Sequence, residues 1–124
     1  MTKEQFEVLF EGKKSWGRTD GQFIAPRSEI DRVFMTAKGD LNKIEEMLGW
    51  KKGHFFWRRG LVRIDVDDVR KYNLRMATGN EEGAMKGMWR AGGFAYSKGG
   101  KRGVAEAIID PIKAEDARIM TLTY

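Results

Sequence analysis

The spacing of apolar residues changes near Gly49, and this change constrains the fold more than any other feature of the chain. Before Gly49, apolar residues recur at helical intervals, as at Ile30, Val33 and Phe34, which predicts helices with one buried stripe. After it, apolar and polar residues alternate, as in LVRIDV at positions 61–66, which is typical of strands with one buried face. Helices followed by strands with short connections predict an α+β fold, with N-terminal helices packed on an antiparallel sheet.

Local signals set the starts of three predicted helices. Thr2 and Gln5 match a capping box, in which the two side chains satisfy the first free amides of a helix. Ser28 and Asp40 are the expected N-caps of the second and third helices, because their side chains can accept hydrogen bonds from amides of the first turn. The acidic residues of these helices are expected to face solvent, among them Glu45 and Glu46.

The remaining segments predict five strands and their connections. The expected strands are HFFW at 54–57, LVRIDV at 61–66, and the segments 73–78, 106–112 and 118–124. Residues 58–60 form a plausible hairpin turn between the first two. Residues 67–72 predict a short turn or helix. Residues 15–21 predict a loop, and residues 22–26 a short extended piece that ends at a proline.

One domain accounts for the whole chain of 124 residues. Residues 1–49 form its helical part, and residues 50–124 form a mainly β part that includes a glycine-rich loop at 79–103. This loop holds more than half of the 15 glycines and shows no clear period. A long irregular segment in a small protein is commonly functional or disordered. Its aromatic residues, including Trp89 and Tyr96, favour an ordered functional loop.

The totals of charged and metal-binding residues limit the classes of function. The formal net charge of +5 favours a polyanion such as nucleic acid, or an acidic protein partner. With no cysteine and a single histidine, disulfides and thiol catalysis are excluded and a zinc site is disfavoured. We therefore expect no metal and no cofactor. No apolar run is long enough to span a membrane, and no phosphate-loop pattern of nucleotide triphosphatases is present.

Two arginines are candidate ligands of an anion. Strand alternation predicts that Arg63 and Arg75 share one sheet face beside the glycine-rich loop, where planar guanidinium groups can hold a phosphate in two bonds. The alternative is that Arg63 pairs with Asp65 or with another acid across the sheet, which is a common surface arrangement. The sequence leaves both interpretations open.

Proton transfer has three candidate groups. Metal-independent cleavage of RNA needs a base, an acid and cations for the developing charge. His54 is the one imidazole of the chain, although a lone histidine is commonly structural. Glu81 or Glu106 is the alternative base, with Lys98 or Arg75 as its electrostatic partner.

The glycine-rich loop supplies most of the candidate binding residues. Asn80 and Glu81 lie in a predicted tight turn, which is equally consistent with an ordinary polar turn. Trp89 and Tyr96 can stack on a base, although Trp89 can equally anchor the loop on the core. The candidate catalytic residues are His54, Arg75, Glu81, Lys98 and Glu106. The candidate substrate-binding residues are Arg63, Asn80, Trp89, Tyr96, Ser97, Lys101 and Arg102.

The order of five sequence blocks resembles the C-terminal toxin domains of bacterial polymorphic and contact-dependent growth-inhibition effectors. The blocks are WGRTDGQFIAP at 16–26, LVRIDV at 61–66, NLRMATGNEEGA at 73–84, WRAGG at 89–93 and EAIID at 106–110. The chain departs from the family pattern at Met85, where a second asparagine is more common, and at Ala91, where proline is. The spacing between Gly93 and Glu106 is also longer than in the family.

The resemblance implies that the domain is delivered from a secreted or cell-surface effector and acts in the cytoplasm of a neighbouring bacterium. It also implies a cognate immunity protein, which we expect to be acidic. Many small basic members are ribonucleases with the barnase/EndoU/colicin/RelE-like fold, in which helices pack on a curved antiparallel sheet. The expected function is therefore a metal-independent ribonuclease that acts on tRNA.

Two alternatives to a ribonuclease remain open. The first is an NAD-consuming toxin, either a glycohydrolase or an ADP-ribosyltransferase. Arg63, Ser97 and Glu106 resemble the Arg–Ser–Glu order of such transferases. The second is a non-enzymatic basic module that binds nucleic acid or a protein partner.

Overall fold

The α+β class predicted from the sequence is confirmed. A computed structural model describes residues 1–50, 52–57, 59–78, 80–81, 89–90, 94–96 and 102–122. The helices are α1 (Lys3–Leu9), α2 (Arg27–Ala37), α3 (Leu41–Leu48) and α4 (His54–Trp57). The strands are β1 (Ser15–Trp16), β2 (Gln22–Ile24), β3 (Leu61–Val66), β4 (Trp89–Arg90), β5 (Phe94–Tyr96), β6 (Arg102–Ala105), β7 (Ala107–Ile109), β8 (Ile112–Lys113) and β9 (Ala117–Leu122). Two single 3₁₀ turns occupy Val69–Tyr72 and Ala114–Asp116.

The strands form small antiparallel sheets. In the described ranges, the pairs are β1 with β8, β2 with β7, and β3 with β9, and a further sheet has the order β4-β5-β6. The longest ladder is that of β3 and β9, which pair in register from Leu61 opposite Leu122 to Val66 opposite Ala117. Ile108 of β7 pairs with Phe23 of β2 on one side.

Two of the three predicted helix starts are confirmed, and one is wrong. Both hydrogen bonds of the Thr2–Gln5 capping box are present, and the Asp40 side chain accepts from two amides of the first turn of α3. Helix α2, by contrast, begins at Arg27, and no side chain caps it. Ser28 already lies inside its first turn, because the carbonyl of Pro26 accepts the first intrahelical bonds.

The predicted strand at 54–57 is helix α4, and a buried carboxylate explains why. Glu45 of α3 is 1% exposed, so the prediction that it faces solvent is wrong. Its two oxygens accept hydrogen bonds from the amides of Gly53, at 2.7 Å, and Phe55, at 2.9 Å. The amide of Gly53 directly precedes α4 and that of Phe55 lies in its first turn, at a helix end whose free N–H groups need acceptors. The local β-forming composition is therefore overridden by an acceptor eight to ten residues away.

The end of α4 also differs from the predicted hairpin. Arg59 and Gly60 have φ values of +62° and +106°, which turn the chain from the helix into β3. Since α4 is not a strand, the predicted hairpin between two strands is wrong; Arg58 itself lies outside the described residues.

The mainly β part contains shorter strands than expected. Within 73–78, only Arg75 pairs, as an isolated bridge to Ile108, and Asn73 has a φ of +55°. The predicted strand at 106–112 is divided into β7 and β8 around Pro111, which has no amide hydrogen to donate. The glycine-rich loop predicted at 79–103 is not wholly irregular, because β4, β5 and the start of β6 lie within it. The predicted loop at 15–21 begins with β1.

Within the residues that the structure describes, the core consists of two apolar clusters. The first joins α2, α3 and α4 to the strands through Val33, Ala37, Leu41, Ile44, Phe55, Leu61 and Val104. The second contains Phe10, Trp16, Tyr72, Ile109 and Ile112. In the described part of the chain, no helix combines the length and apolar composition that a bilayer crossing requires.

Replacement of Gly21 by alanine is expected to destabilise the fold. Gly21 has a φ of +138°, and a Cβ placed there would lie 2.4 Å from Cγ2 of the buried Ile108. The backbone strain alone costs about 1–3 kcal/mol, and the overlap with Ile108 adds to it. Gly39→Ala is the matched control, because Gly39 has a φ of +84° with no atom within 4 Å of the added methyl. Urea unfolding should show a larger decrease in the free energy of unfolding for Gly21→Ala than for Gly39→Ala. Equal decreases would contradict the role of the close approach to Ile108.

Candidate functional site

A cleft of about 700 Å³ lies between parts of both core clusters. Its lining comes mainly from apolar side chains of β2, β3 and β7 and from the end of the α3 region. Leu74, which is 45% exposed, also lines it, so the cleft reaches the surface. Of the sequence-predicted site residues, Arg63 and Glu106 line this cleft together.

Glu106 is the distinctive ionisable group of the cleft. It lies between β6 and β7, where the chain passes from one small sheet to another. Burial raises the pKa of its carboxyl group from 4.5 to about 7. Among the described residues, none forms a hydrogen bond or an ion pair with this carboxyl group. A group with such a pKa can both accept and donate a proton near neutral pH.

The shifted pKa of Glu106 predicts how stability depends on pH. The folded chain keeps the Glu106 proton up to about pH 7, whereas the unfolded chain loses it near pH 4.5. The unfolded state therefore binds fewer protons in this window, and stability falls as the pH rises from 4.5 to 7. The expected loss is on the order of 2–3 kcal/mol. Urea unfolding at several pH values between 4.5 and 7 should show that the free energy of unfolding falls with pH in wild type but not in Glu106→Gln. The same pH dependence in both proteins would contradict the raised pKa of Glu106.

Arg63 is held by carboxylates on one wall of the cleft. Its guanidinium group forms ion pairs of 2.8 Å with Asp65 and with Asp31 of α2, and it lies over the ring of Phe34. The hydrogen bond to Asp65 is the main cause that raises the pKa of Arg63. The side chain is only 11% exposed. The alternative in which Arg63 pairs with Asp65 is thus the one that the structure shows.

The same ion-pair network continues beyond Arg63. Arg27 contacts Asp65 at 3.8 Å and Asp67 at 3.1 Å, and Arg118 of β9 contacts Asp67 at 2.8 Å. Hydrogen bonds from Arg118 and then Arg27 lower the pKa of Asp67. The network joins α2 to β3 and β9, and each cation in it already has a carboxylate partner.

Arg75 stands in a different sheet region from Arg63, so the prediction that the two share one sheet face is wrong. Its Nη1 donates to Asp110 at 2.8 Å and to the carbonyl of Asn73 at 2.9 Å, and its Nη2 donates to the carbonyl of Asp20 at 3.3 Å. Arg75 therefore links three chain segments, whereas Arg63 binds different carboxylates.

Glu81 and Asn80 belong to a polar turn. The carboxylate of Glu81 accepts from the amide of Thr78 at 2.9 Å and from its hydroxyl at 3.0 Å. The amide of Asn80 donates to the same hydroxyl at 3.3 Å. These bonds stabilise the turn locally, and neither Asn80 nor Glu81 lines the cleft.

His54 lies behind the cleft wall rather than in it. Its ring is stacked on Trp50, with ring centroids 4.4 Å apart and 19° between the planes. The edge of its ring meets Phe55. Trp50 itself lines the cleft. No sequence pattern pointed to Trp50, because it lies in a short connection without a period of its own.

The other candidates fall in the glycine-rich segment. Ser97, Lys98 and Lys101 lie outside the described residues. Trp89, Tyr96 and Arg102 belong to β4, β5 and β6, and their side chains also lie outside the described part. Among the residues that the structure does describe, no group of three potential metal ligands comes together.

Comparisons with protein-family models, with curated proteins and with solved structures give no match to this chain. The features that bear on function are therefore the cleft, its carboxyl group and the charge of the chain.

Proposed function

We propose that this protein is a toxin domain that cleaves RNA without a metal ion, with Glu106 as the proton-transfer group. The observation that carries the proposal is a carboxyl group with a pKa near 7 in an open, mainly apolar cleft. As a base, Glu106 takes the proton of a ribose 2′-hydroxyl. The 2′-oxygen then attacks the adjacent phosphorus, and the 5′-oxygen leaves with a proton from an acid or water.

Charge and fold class support the same proposal. The net charge of +5 draws RNA towards the protein. N-terminal helices and antiparallel strands fit the barnase/EndoU/colicin/RelE-like class, and we propose that the small sheets are parts of one curved sheet. Together with the resemblance to growth-inhibition toxins, this supports tRNA as substrate, an acidic immunity protein as inhibitor, and action in the cytoplasm of a target cell.

Incubation of the chain with total tRNA in EDTA tests the proposed activity. We expect discrete fragments, with a 2′,3′-cyclic phosphate on the 3′ end of the upstream fragment. Its gel mobility should change on phosphatase treatment only after dilute acid has opened the cyclic phosphate. Full-length RNA at stoichiometric protein would contradict the proposal. Salt-sensitive binding without any product would instead indicate the non-enzymatic module.

One observation favours an NAD-consuming toxin as the second candidate. Both described arginines of the cleft lining are bound to carboxylates, while Glu106 and Trp50 line the same cleft. A carboxylate beside an aromatic ring can stabilise the cation that forms when the nicotinamide–ribose bond breaks. Loss of NAD from a reaction that leaves tRNA intact would favour this candidate, and constant NAD would remove it.

A further inference from the structure

The charges on the cleft wall do not suit a phosphate group. Arg27 and Arg63 line the cleft, but their guanidinium groups are already paired with Asp65 and Asp67, which line it as well. Glu106 adds a further acidic group. The Met1 amino group also lines the cleft, but it donates to the carbonyl of Val62, and burial lowers its pKa to about 6. A phosphate that entered would lose water and find each described cationic group of the lining already bonded to an oxygen, so its burial would not be compensated.

The size and polarity of the cleft suit an uncharged ring instead. A volume of about 700 Å³ lies within the range of sites that hold small organic ligands. Apolar side chains such as Ile24, Val62 and Ile64 form its walls, and the indole of Trp50 is part of its lining. Flat apolar surfaces of this kind favour the insertion of a nucleobase.

We infer that the cleft holds an unstacked nucleobase with its ribose directed to Glu106, while the phosphate that is cleaved stays at the mouth of the cleft beside that ribose and the other phosphates of the strand stay outside. This inference rests on the proposed function and names its substrate class. A base in a duplex is paired and stacked, and it must leave the stack before it can enter such a cleft. The substrate is therefore a single-stranded segment or a loop, and paired RNA is resistant.

Binding of nucleosides to the full chain tests the base site directly. Titration of adenosine, guanosine, cytidine and uridine, followed by NMR, should shift the amide signals of Ile64 and Ala107, which line the cleft. Inorganic phosphate should leave these signals unchanged. Saturation by phosphate but by no nucleoside would overturn the inference.

A cleft-filling variant supplies the matched comparison. Ala107→Leu places extra volume in the cleft and should weaken nucleoside binding at least tenfold. Ala114→Leu adds the same volume at a half-buried position outside the cleft and should bind as wild type does. Equal weakening by both variants would overturn the assignment to this cleft.

Cleavage of two synthetic RNAs separates this inference from the proposed function. A hairpin should be cut in its loop, and a fully paired duplex of the same composition should be cut at least a hundredfold more slowly. Equal cleavage of both would overturn the inference and leave the ribonuclease proposal intact. Nucleoside binding with no cleavage of either RNA would have the opposite meaning: the base site stands and the ribonuclease proposal fails.

Discussion

Replacement of Glu106 by glutamine is expected to lower the rate of RNA cleavage by about 10²–10⁴-fold, the usual contribution of a general base. Glutamine keeps the shape of the side chain but cannot take the 2′-hydroxyl proton. The substitution should leave the chain folded. Ionisation of the buried Glu106 carboxyl destabilises the folded state, whereas the glutamine amide stays neutral. The measurement is kcat/KM on a labelled RNA, together with circular dichroism of both proteins.

The control for this substitution is Glu115→Gln, which removes the same formal charge from an exposed residue outside the cleft. It should leave kcat/KM within about twofold of wild type, since the carboxyl group of Glu106 is unchanged.

The pH profile adds a second readout. In wild type, kcat/KM should rise through about pH 7, the pKa of Glu106, and Glu106→Gln should lose that limb. If both variants cleave RNA equally fast, Glu106 is not the base.

The elements that the sequence predicts correctly are those stabilised by neighbouring residues. The capping box of Thr2 and Gln5 spans three positions, and the Asp40 cap bonds to amides two and three positions away. Residues 61–66 also form the predicted strand, β3, which pairs along its length with β9, but Leu61 and Val62 are both buried, so burial along the strand does not alternate. The two caps are therefore determined within their own elements, whereas β3 also depends on a distant partner.

The wrong predictions concern elements that depend on distant partners. HFFW has a composition typical of strands, yet it is helical because its first amides meet the carboxylate of Glu45. Residues 73–78 alternate as a strand does, but only Arg75 finds a backbone partner, in Ile108. No window of a few residues contains these acceptors, so local patterns cannot anticipate them.

The candidate site, like the fold, was predicted only in part from the sequence. Glu106 was one of three candidate proton-transfer groups in the sequence, and the structure places it in a cleft where burial raises its pKa. Arg63 also lines the cleft, but pairing with Asp31 could not be foreseen, since α2 and β3 are distant in sequence. Trp50 was missed because it lies in a short connection, and its stacking on His54 depends on α4, which the sequence assigned to a strand.

Substitution of Glu45 is expected to have the largest effect on stability among the variants considered. Glu45→Ala leaves the buried amides of Gly53 and Phe55 without their acceptor. Each unsatisfied buried group costs about 1–3 kcal/mol, so we expect a loss of about 2–6 kcal/mol. This is a large share of the 5–15 kcal/mol typical of a domain. Urea unfolding measures it.

Glu45→Gln tests the mechanism of this loss rather than its size alone. Glutamine fills the same space, but only one of its two terminal atoms can accept a hydrogen bond, so one amide would face an NH₂ group. We expect Glu45→Gln to lower the free energy of unfolding by about 1–3 kcal/mol. The control is Glu46→Ala on the exposed side of α3, which should lower it by less than about 1 kcal/mol. A Glu45→Gln variant as stable as wild type would show that the two amides do not need a carboxylate. Glu45→Gln should also weaken nucleoside binding. The Glu45 carboxylate stabilises α4, and His54 of α4 stacks on Trp50, which lines the cleft.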